Sequence, residues 1–264
     1  MKHCNESDIK TALDFIYEDR LLNFYMYMDI EECGITDEGL DMWFFEEDSE
    51  LKAIAYQYYD CIHIYSKELF CTDELISLLE ERKPKVIASS IENIDEILKH
   101  LEGDFLYESN HIITADKELH ARESFDIKPA VETDIPDIAS LMLKADIYSD
   151  VYEYDKLVSD LTRRFKDGFG RMFVIRDDEG KLIATNATNA ETDELAVIGG
   201  LVTDPSMRGK GLGSSITAST WNLVRREGKT GLAFLITTNE KTISVHKKLG
   251  FKFIGYNARI IRRD

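Results

Sequence analysis

Long apolar runs are missing from this chain of 264 residues. No stretch approaches the ~20 residues that a membrane-crossing helix needs. The opening MKHCNESDIK lacks the apolar centre of a secretory leader. Cysteine is sparse: Cys4, Cys33, Cys61 and Cys71 include no CxxC pair, and no Cys/His cluster has zinc-site spacing. These absences predict a cytoplasmic protein with reduced structural thiols, no membrane association and no bound metal. Only four prolines occur, and no Pro-, Gly- or Ser-rich linker divides the chain.

What is present is a globular composition, 44% hydrophobic and 31% charged. The net charge of −18 is unevenly spread. Residues 1–125 hold 30 acidic and 11 basic side chains, a net of −19, whereas residues 126–264 hold 20 and 21. Within the second half, residues 207–264 carry 3 acidic and 12 basic side chains. A small basic segment inside an acidic molecule is a poor footprint for nucleic acid. It suits a compact polyanion better.

The second half has a clear rhythm. A short strand at 125–130 precedes apolar residues Ile135, Ile138, Leu141 and Met142 at helical spacing, and a second helix is expected near 154–165. GRMFVIRDDEGKLIATNAT reads as a hairpin turning at Asp178 and Gly180, and ELAVIGGLVT as a third strand. After a glycine-rich stretch come a helix ending at Gly228, a strand at 231–238, a helix that Asn239 can cap and Gly250 stops, and a last strand. The first half repeats that order more faintly: two helices, three strands, helix, strand, helix, strand. The expected organisation is therefore two α/β (α+β) domains, residues 1–125 and 126–264, each a mixed sheet flanked by helices.

The stretch TDPSMRGKGLGSS, residues 203–215, gathers Gly209, Gly211 and Gly213 with Arg208 and Lys210 between an apolar strand and a helix. A helix N-terminus exposes unpaired N–H groups and a partial positive charge. Glycine lets phosphate oxygens approach that backbone closely. Successive inward N–H groups would form an anion nest, with Ser214 or Ser215 as a further donor. The alternative is a glycine-rich turn with no ligand. Two other phosphate loops are excluded. GxxxxGK[ST] is absent, and the spacing here is GxGxG late in a domain, not GxGxxG after a first strand.

TDPSMRGKGLG followed by NEKTISVHKKLGF resembles the GNAT superfamily of N-acetyltransferases. Arg208, Gly211 and Gly213 match that family's [QR]-x-x-G-x-[GA] loop, and the element order of 126–264 is the family's order. The resemblance implies an acetyl-CoA-dependent enzyme that acetylates a primary amine of a small molecule. The loop, Arg208 through Ser214 with Leu212 at the helix start, would hold the pyrophosphate. Leu201, Val202 and Thr203 on the splayed strand would pair with the pantetheine arm, and Asn239 could hold a pantetheine carbonyl or serve only as a cap. Direct attack needs no acyl-enzyme, in agreement with the absence of cysteine from 126–264. Where the family often has a tyrosine that protonates the leaving thiolate, this sequence has His246; the alternative is a packed or solvated histidine. No glutamate stands in mid-strand; Asp193 and Glu194 sit at the strand's start, and either, with Glu194 the candidate base, could act through water or else be a solvated turn residue. Gly199 and Gly200 either make room for ligand or mark a bulge.

The first half has the order without the loop. YSKELFCTDELI offers no glycine, one lysine and three carboxylates where phosphate would bind. It resembles a degenerate GNAT half that has lost the cofactor, as in tandem members of the family. Its negative charge would concentrate a cationic amine, or serve only solubility. Two further readings are a non-catalytic acyl-CoA sensor whose first half binds a partner, and a structural dimerisation domain without CoA affinity.

Overall fold

The computed structural model describes residues 1–149, 152–168, 170–235 and 240–263. In chain order the first elements are β1 (Lys2–His3), α1 (Ile9–Ile16), α2 (Phe24–Cys33), β2 (Leu40–Glu47), β3 (Glu50–Tyr58), β4 (Cys61–Ser66), α3 (Asp73–Arg82), β5 (Val86–Ser89), α4 (Ile91–Ile97) and β6 (Phe105–Thr114). They continue with β7 (Ile127–Pro129), α5 (Ile135–Met142), α6 (Asp146–Ser149), α7 (Tyr154–Asp167), β8 (Met172–Arg176), β9 (Leu182–Glu191) and β10 (Leu195–Thr203). The last are α8 (Leu212–Arg226), β11 (Thr230–Leu235), α9 (Glu240–Leu249) and β12 (Lys252–Arg262). The expected order is present in both halves. Two short elements, β1 and α6, were not legible in the sequence.

Two compact units emerge, Met1–Ile112 with Ile254–Asp264, and Ile113–Phe253. The division thus falls at 112/113, not at 125/126, and the chain's last strand completes the first unit. Physical reasons are visible in both cores. Ala258 and Ile260 of β12 are buried among Ile62, Ile64 and Ile87, and β12 pairs antiparallel with β5 from Ala258↔Ser89 to Ile261↔Val86. Ile113, Ala115 and Leu119 instead pack with Ala218, Trp221 and Phe251 of the second unit.

In the first unit the strands run β1-β2-β3-β4-β5-β12-β6. Alternation along β2 and β3 sends Trp43, Phe45, Ala53 and Ala55 to the face covered by α3 and α4, and Met42, Phe44, Ile54 and Tyr56 to the face of α1 and α2. Asp48 and Ser49 turn the β2–β3 hairpin with positive φ, the backbone sense that matches strand twist. β4 and β5 are parallel, paired only over Cys61–His63 and Val86–Ala88.

The second unit has the order β11-β10-β9-β8-β7. Val174, Leu182 and Val202 face α5 and α7, while Phe173, Ile175 and Ile183 face Leu212 and Ile216 of α8. Pro136 in the first turn of α5 costs no hydrogen bond there. Gly168 and Gly228, both with positive φ, stand just after α7 and α8.

Candidate functional site

The site is assembled where β10 leaves its neighbour. β10 and β11 pair in parallel from Leu195↔Thr230 to Val197↔Leu232. Among the described residues that pairing ends there, while β10 continues to Thr203. Its far portion therefore presents main-chain groups on the side facing away from β9. The register against β9 slips between Gly199↔Ala187 and Val202↔Thr185, three steps against two. Gly200 takes the extra residue with φ +66, a conformation that disfavours any side chain. Of the two readings for the mid-strand glycines, the structure thus shows the bulge. Gly199 is close-packed as well: a Cβ there would collide with Asn189 Nδ2. Beyond the bulge Leu201 turns outward, 39% exposed, and Val202 is buried.

Asp204 fixes the loop's entrance. Its amide donates to the Ile183 carbonyl at 2.9 Å. Its carboxylate accepts from the Ser206 amide at 3.0 Å and hydroxyl at 2.7 Å, and from Lys144 Nζ at 2.8 Å, with Lys181 Nζ at 3.4 Å. The Lys144 hydrogen bond and those of Ser206 hold this carboxyl well below the usual carboxylate range. Sequence reasoning missed Asp204, although Asp before Pro-Ser is a turn-forming signal.

The glycines then open the helix start. Gly209 has φ +81 and no atom within 4 Å of where a Cβ would be, and Gly211 has φ +87. Gly211 caps α8 without any side-chain hydrogen bond, and the first helical bond runs from the Ser215 amide to the Gly211 carbonyl. The amides of Leu212, Gly213 and Ser214 thus have no intrahelical acceptor. A Cβ on Gly213 would sit 3.5 Å from Thr203 Oγ1, so the loop and the end of β10 adjoin. Arg208 and Lys210 are exposed. Arg208 Nε reaches the Thr203 carbonyl at 3.4 Å and Lys210 Nζ the Met207 sulfur at 3.3 Å. An uncapped helix start, two positive-φ glycines and two exposed cations suit an anionic phosphate.

Two other sequence-predicted residues, Glu194 and His246, fall among the described residues. Glu194 is exposed at the opposite end of β10. The nine residues from Leu195 to Thr203 span roughly 27 Å at about 3.3 Å each, before the bulge is allowed for. Glu194 thus stands at the far end of the strand from the loop. His246 is 8% exposed, its ring centroid 5.6 Å from that of Phe251, which in turn meets Trp221 edge-on at 4.5 Å. It is a packed histidine, not a solvated one. Asn239 lies outside the described residues. No group of three or more His, Cys, Asp or Glu side chains among the described residues could hold a metal ion, and no described helix is long and apolar enough to cross a membrane.

The corresponding place in the first unit is filled by its own side chains. Where β4 and β5 part, Ser89 Oγ donates to the Ile64 carbonyl at 2.8 Å. Asn93 Nδ2 reaches Ser66 Oγ at 2.9 Å and Ser89 Oγ at 3.1 Å, and Asn93 Oδ1 accepts from the Phe70 amide at 2.8 Å. Asn93 is 1% exposed. The following helix, α3, is capped by Thr72, whose hydroxyl accepts from the Leu75 amide. Asp73 and Glu74 occupy its first turn. Nothing in the spacing of YSKELFCT or ASSIEN announces this plug.

Residues 174–260, from β8 into β12, match the family described as FR47-like protein, which is GNAT-related. Solved structures extend the likeness to the whole chain. A Sphaerobacter thermophilus GCN5-related N-acetyltransferase aligns with TM-score 0.67 at 14% identity over 98% of this chain and 93% of its own. A tandem GNAT protein from the clavulanic acid biosynthesis pathway aligns with TM-score 0.62 at 11% identity, over 97% and 94%. A Drosophila protein aligns with TM-score 0.68 at 15% identity, over 99% and 97%. No curated protein matches the sequence. The chain has the GNAT fold, with an FR47-like segment in its second half.

Proposed function

We propose that this protein is an acetyl-CoA-dependent N-acetyltransferase acting on a primary amine of a small molecule, with one working half and one silent half. The observation that carries the reading is the uncapped N-terminus of α8, opened by Gly209 and Gly211 beside the unpaired side of β10. The amides of Leu212, Gly213 and Ser214 would hold the pyrophosphate, with charge from Arg208 and Lys210. The main chain of Leu201, Val202 and Thr203 would pair with the pantetheine arm. Bound acetyl-CoA supplies an activated thioester carbonyl. The protein's task is then to align the amine with it, since orientation alone removes a large part of such a barrier.

His246 is proposed as the proton donor to the leaving thiolate, a task suited to imidazole near neutral pH. Glu194, at the start of β10, would act as the base through water. The acidic first half favours a cationic acceptor by raising its local concentration. A specific observation supports the second reading, an acyl-CoA sensor: the middle of β10, Val197–Gly200, carries no carboxylate. Turnover separates the two. Release of CoA from acetyl-CoA with any member of an amine panel (polyamines, aminoglycosides, amino acids) supports the enzyme. Saturable acetyl-CoA binding with no turnover across the panel supports the sensor.

A further inference from the structure

The segment preceding β7 lies along α8 and ends on the glycine loop. Leu119 is clamped by Asn222, whose Oδ1 accepts from the Leu119 amide at 2.9 Å and whose Nδ2 donates to the Leu119 carbonyl at 2.8 Å. Arg225 donates to the Asp116 carbonyl, and Lys252 Nζ meets the Asp116 carboxylate at 2.6 Å. Four residues past the Asn222 clamp comes Glu123. A Cβ placed on Gly211 would lie 3.0 Å from Glu123 Cγ and 3.3 Å from its Cβ. The stem of a glutamate therefore rests on the residue that opens the helix. Glu123 is exposed, and its carboxylate has no hydrogen-bond or ion-pair partner among the described residues. Arg208 and Lys210 engage the Thr203 carbonyl and the Met207 sulfur instead. The same segment borders an open surface pocket of about 420 Å³, lined by Glu123, Ser124, Phe125, Ser215 and Ser219. It leaves the side chain unconfined on that side.

A negative charge held beside an anion loop, with no cation of its own, repels a ligand in proportion to the ligand's charge. We propose that Glu123 is a specificity-determining residue of this site, one that sets how strongly the loop distinguishes thioester donors by their phosphate charge. This rests on the reading of 203–215 as a CoA-binding loop. Acetyl-CoA, with its pyrophosphate and 3′-phosphate, is held back more than S-acetyl-phosphopantetheine, which carries a single phosphate group. Selection against a competitor by repulsion is a general route to specificity.

The test is calorimetric titration of the full chain and of Glu123→Gln with both thioesters at low and moderate salt. The substitution keeps size and removes charge on an exposed side chain, so folding is not at stake. Acetyl-CoA is expected to bind about three- to tenfold more tightly to E123Q, S-acetyl-phosphopantetheine by a smaller factor, with both gains shrinking as salt rises. Equal acetyl-CoA affinities for parent and variant would overturn the role of Glu123 and leave the loop's assignment standing. Equal gains for both donors would overturn the selection by charge. No binding of either thioester to either protein would overturn the loop assignment and this inference together.

Discussion

Asp29 on α2 offers a quantitative test of how the first unit is held together. Its residue is 6% exposed. The ionisable group facing it is His63, whose Nε2 stands 4.0 Å from the Asp29 carboxylate, beyond hydrogen-bond reach. Burial pushes the Asp29 carboxyl up from 3.8 to about 7, and burial pushes the His63 imidazole down to about 4. The signs follow by linkage. Below pH 3.8 both folded and unfolded chains carry the neutral acid, and Asp29 costs nothing. As pH rises toward 7 the folded chain keeps a proton that the unfolded chain has released. The penalty therefore grows by about 1.4 kcal/mol per pH unit and levels off near 4 kcal/mol. His63 acts on the other limb, costing stability as pH falls from 6.5 toward 4.

Asp29→Asn removes the ionisable group and keeps its shape. The amide brings a pH-independent desolvation cost of about 1–3 kcal/mol if it finds no partner. The informative quantity is thus the slope with pH. Between pH 5 and pH 8 the parent should lose up to about 3 kcal/mol that the variant does not. Urea unfolding of both proteins at pH 5, 6.5 and 8, followed by circular dichroism, reads this directly. Parallel curves across that range would refute the claim that a buried, unpaired carboxyl sits in this unit.

Further outcomes concern the second unit. Asp204→Ala removes the carboxylate that receives Ser206, Lys144 and Lys181. It should lower stability by about 1–2 kcal/mol, read as a fall in the unfolding midpoint, and should weaken acetyl-CoA binding by displacing the loop. Because this carboxyl is held low in the folded chain, its contribution is present above pH 4 and lost as pH falls below it, so the variant's deficit should shrink in acid. His246→Gln should lower kcat and flatten one limb of the pH–rate profile while leaving acetyl-CoA affinity close to the parent's. An unchanged profile would assign this histidine to packing against Phe251 alone.

The elements were legible because their signals are local. Alternation marks β8 and β9, apolar spacing marks α5, and the glycines with their flanking charges mark the loop at its true place. Partners distant in sequence were not legible. Ala258 and Ile260 alternate as in any strand, and nothing in that pattern says that they complete the first unit by pairing with β5. Glu123 reads as a surface carboxylate until the fold brings it onto Gly211, 88 positions later. The acidic loop after β4 is legible as a poor phosphate site, but the side chains that fill the place, Ser89 and Asn93, are not, because their partners lie 23 to 27 residues back. Glu194 begins the strand whose other end bears the loop, as its place in the sequence implies.

The central claim is that the loop 203–215 binds acetyl-CoA. Calorimetric titration of the parent with acetyl-CoA, beside Gly211→Glu, tests it most directly. The variant places a charged side chain at φ +87, where a Cβ already comes within 3.0 Å of Glu123 Cγ, and circular dichroism verifies that it remains folded. The account predicts saturable one-to-one binding by the parent and none by the folded variant. No binding by the parent, or equal binding by both, would contradict it.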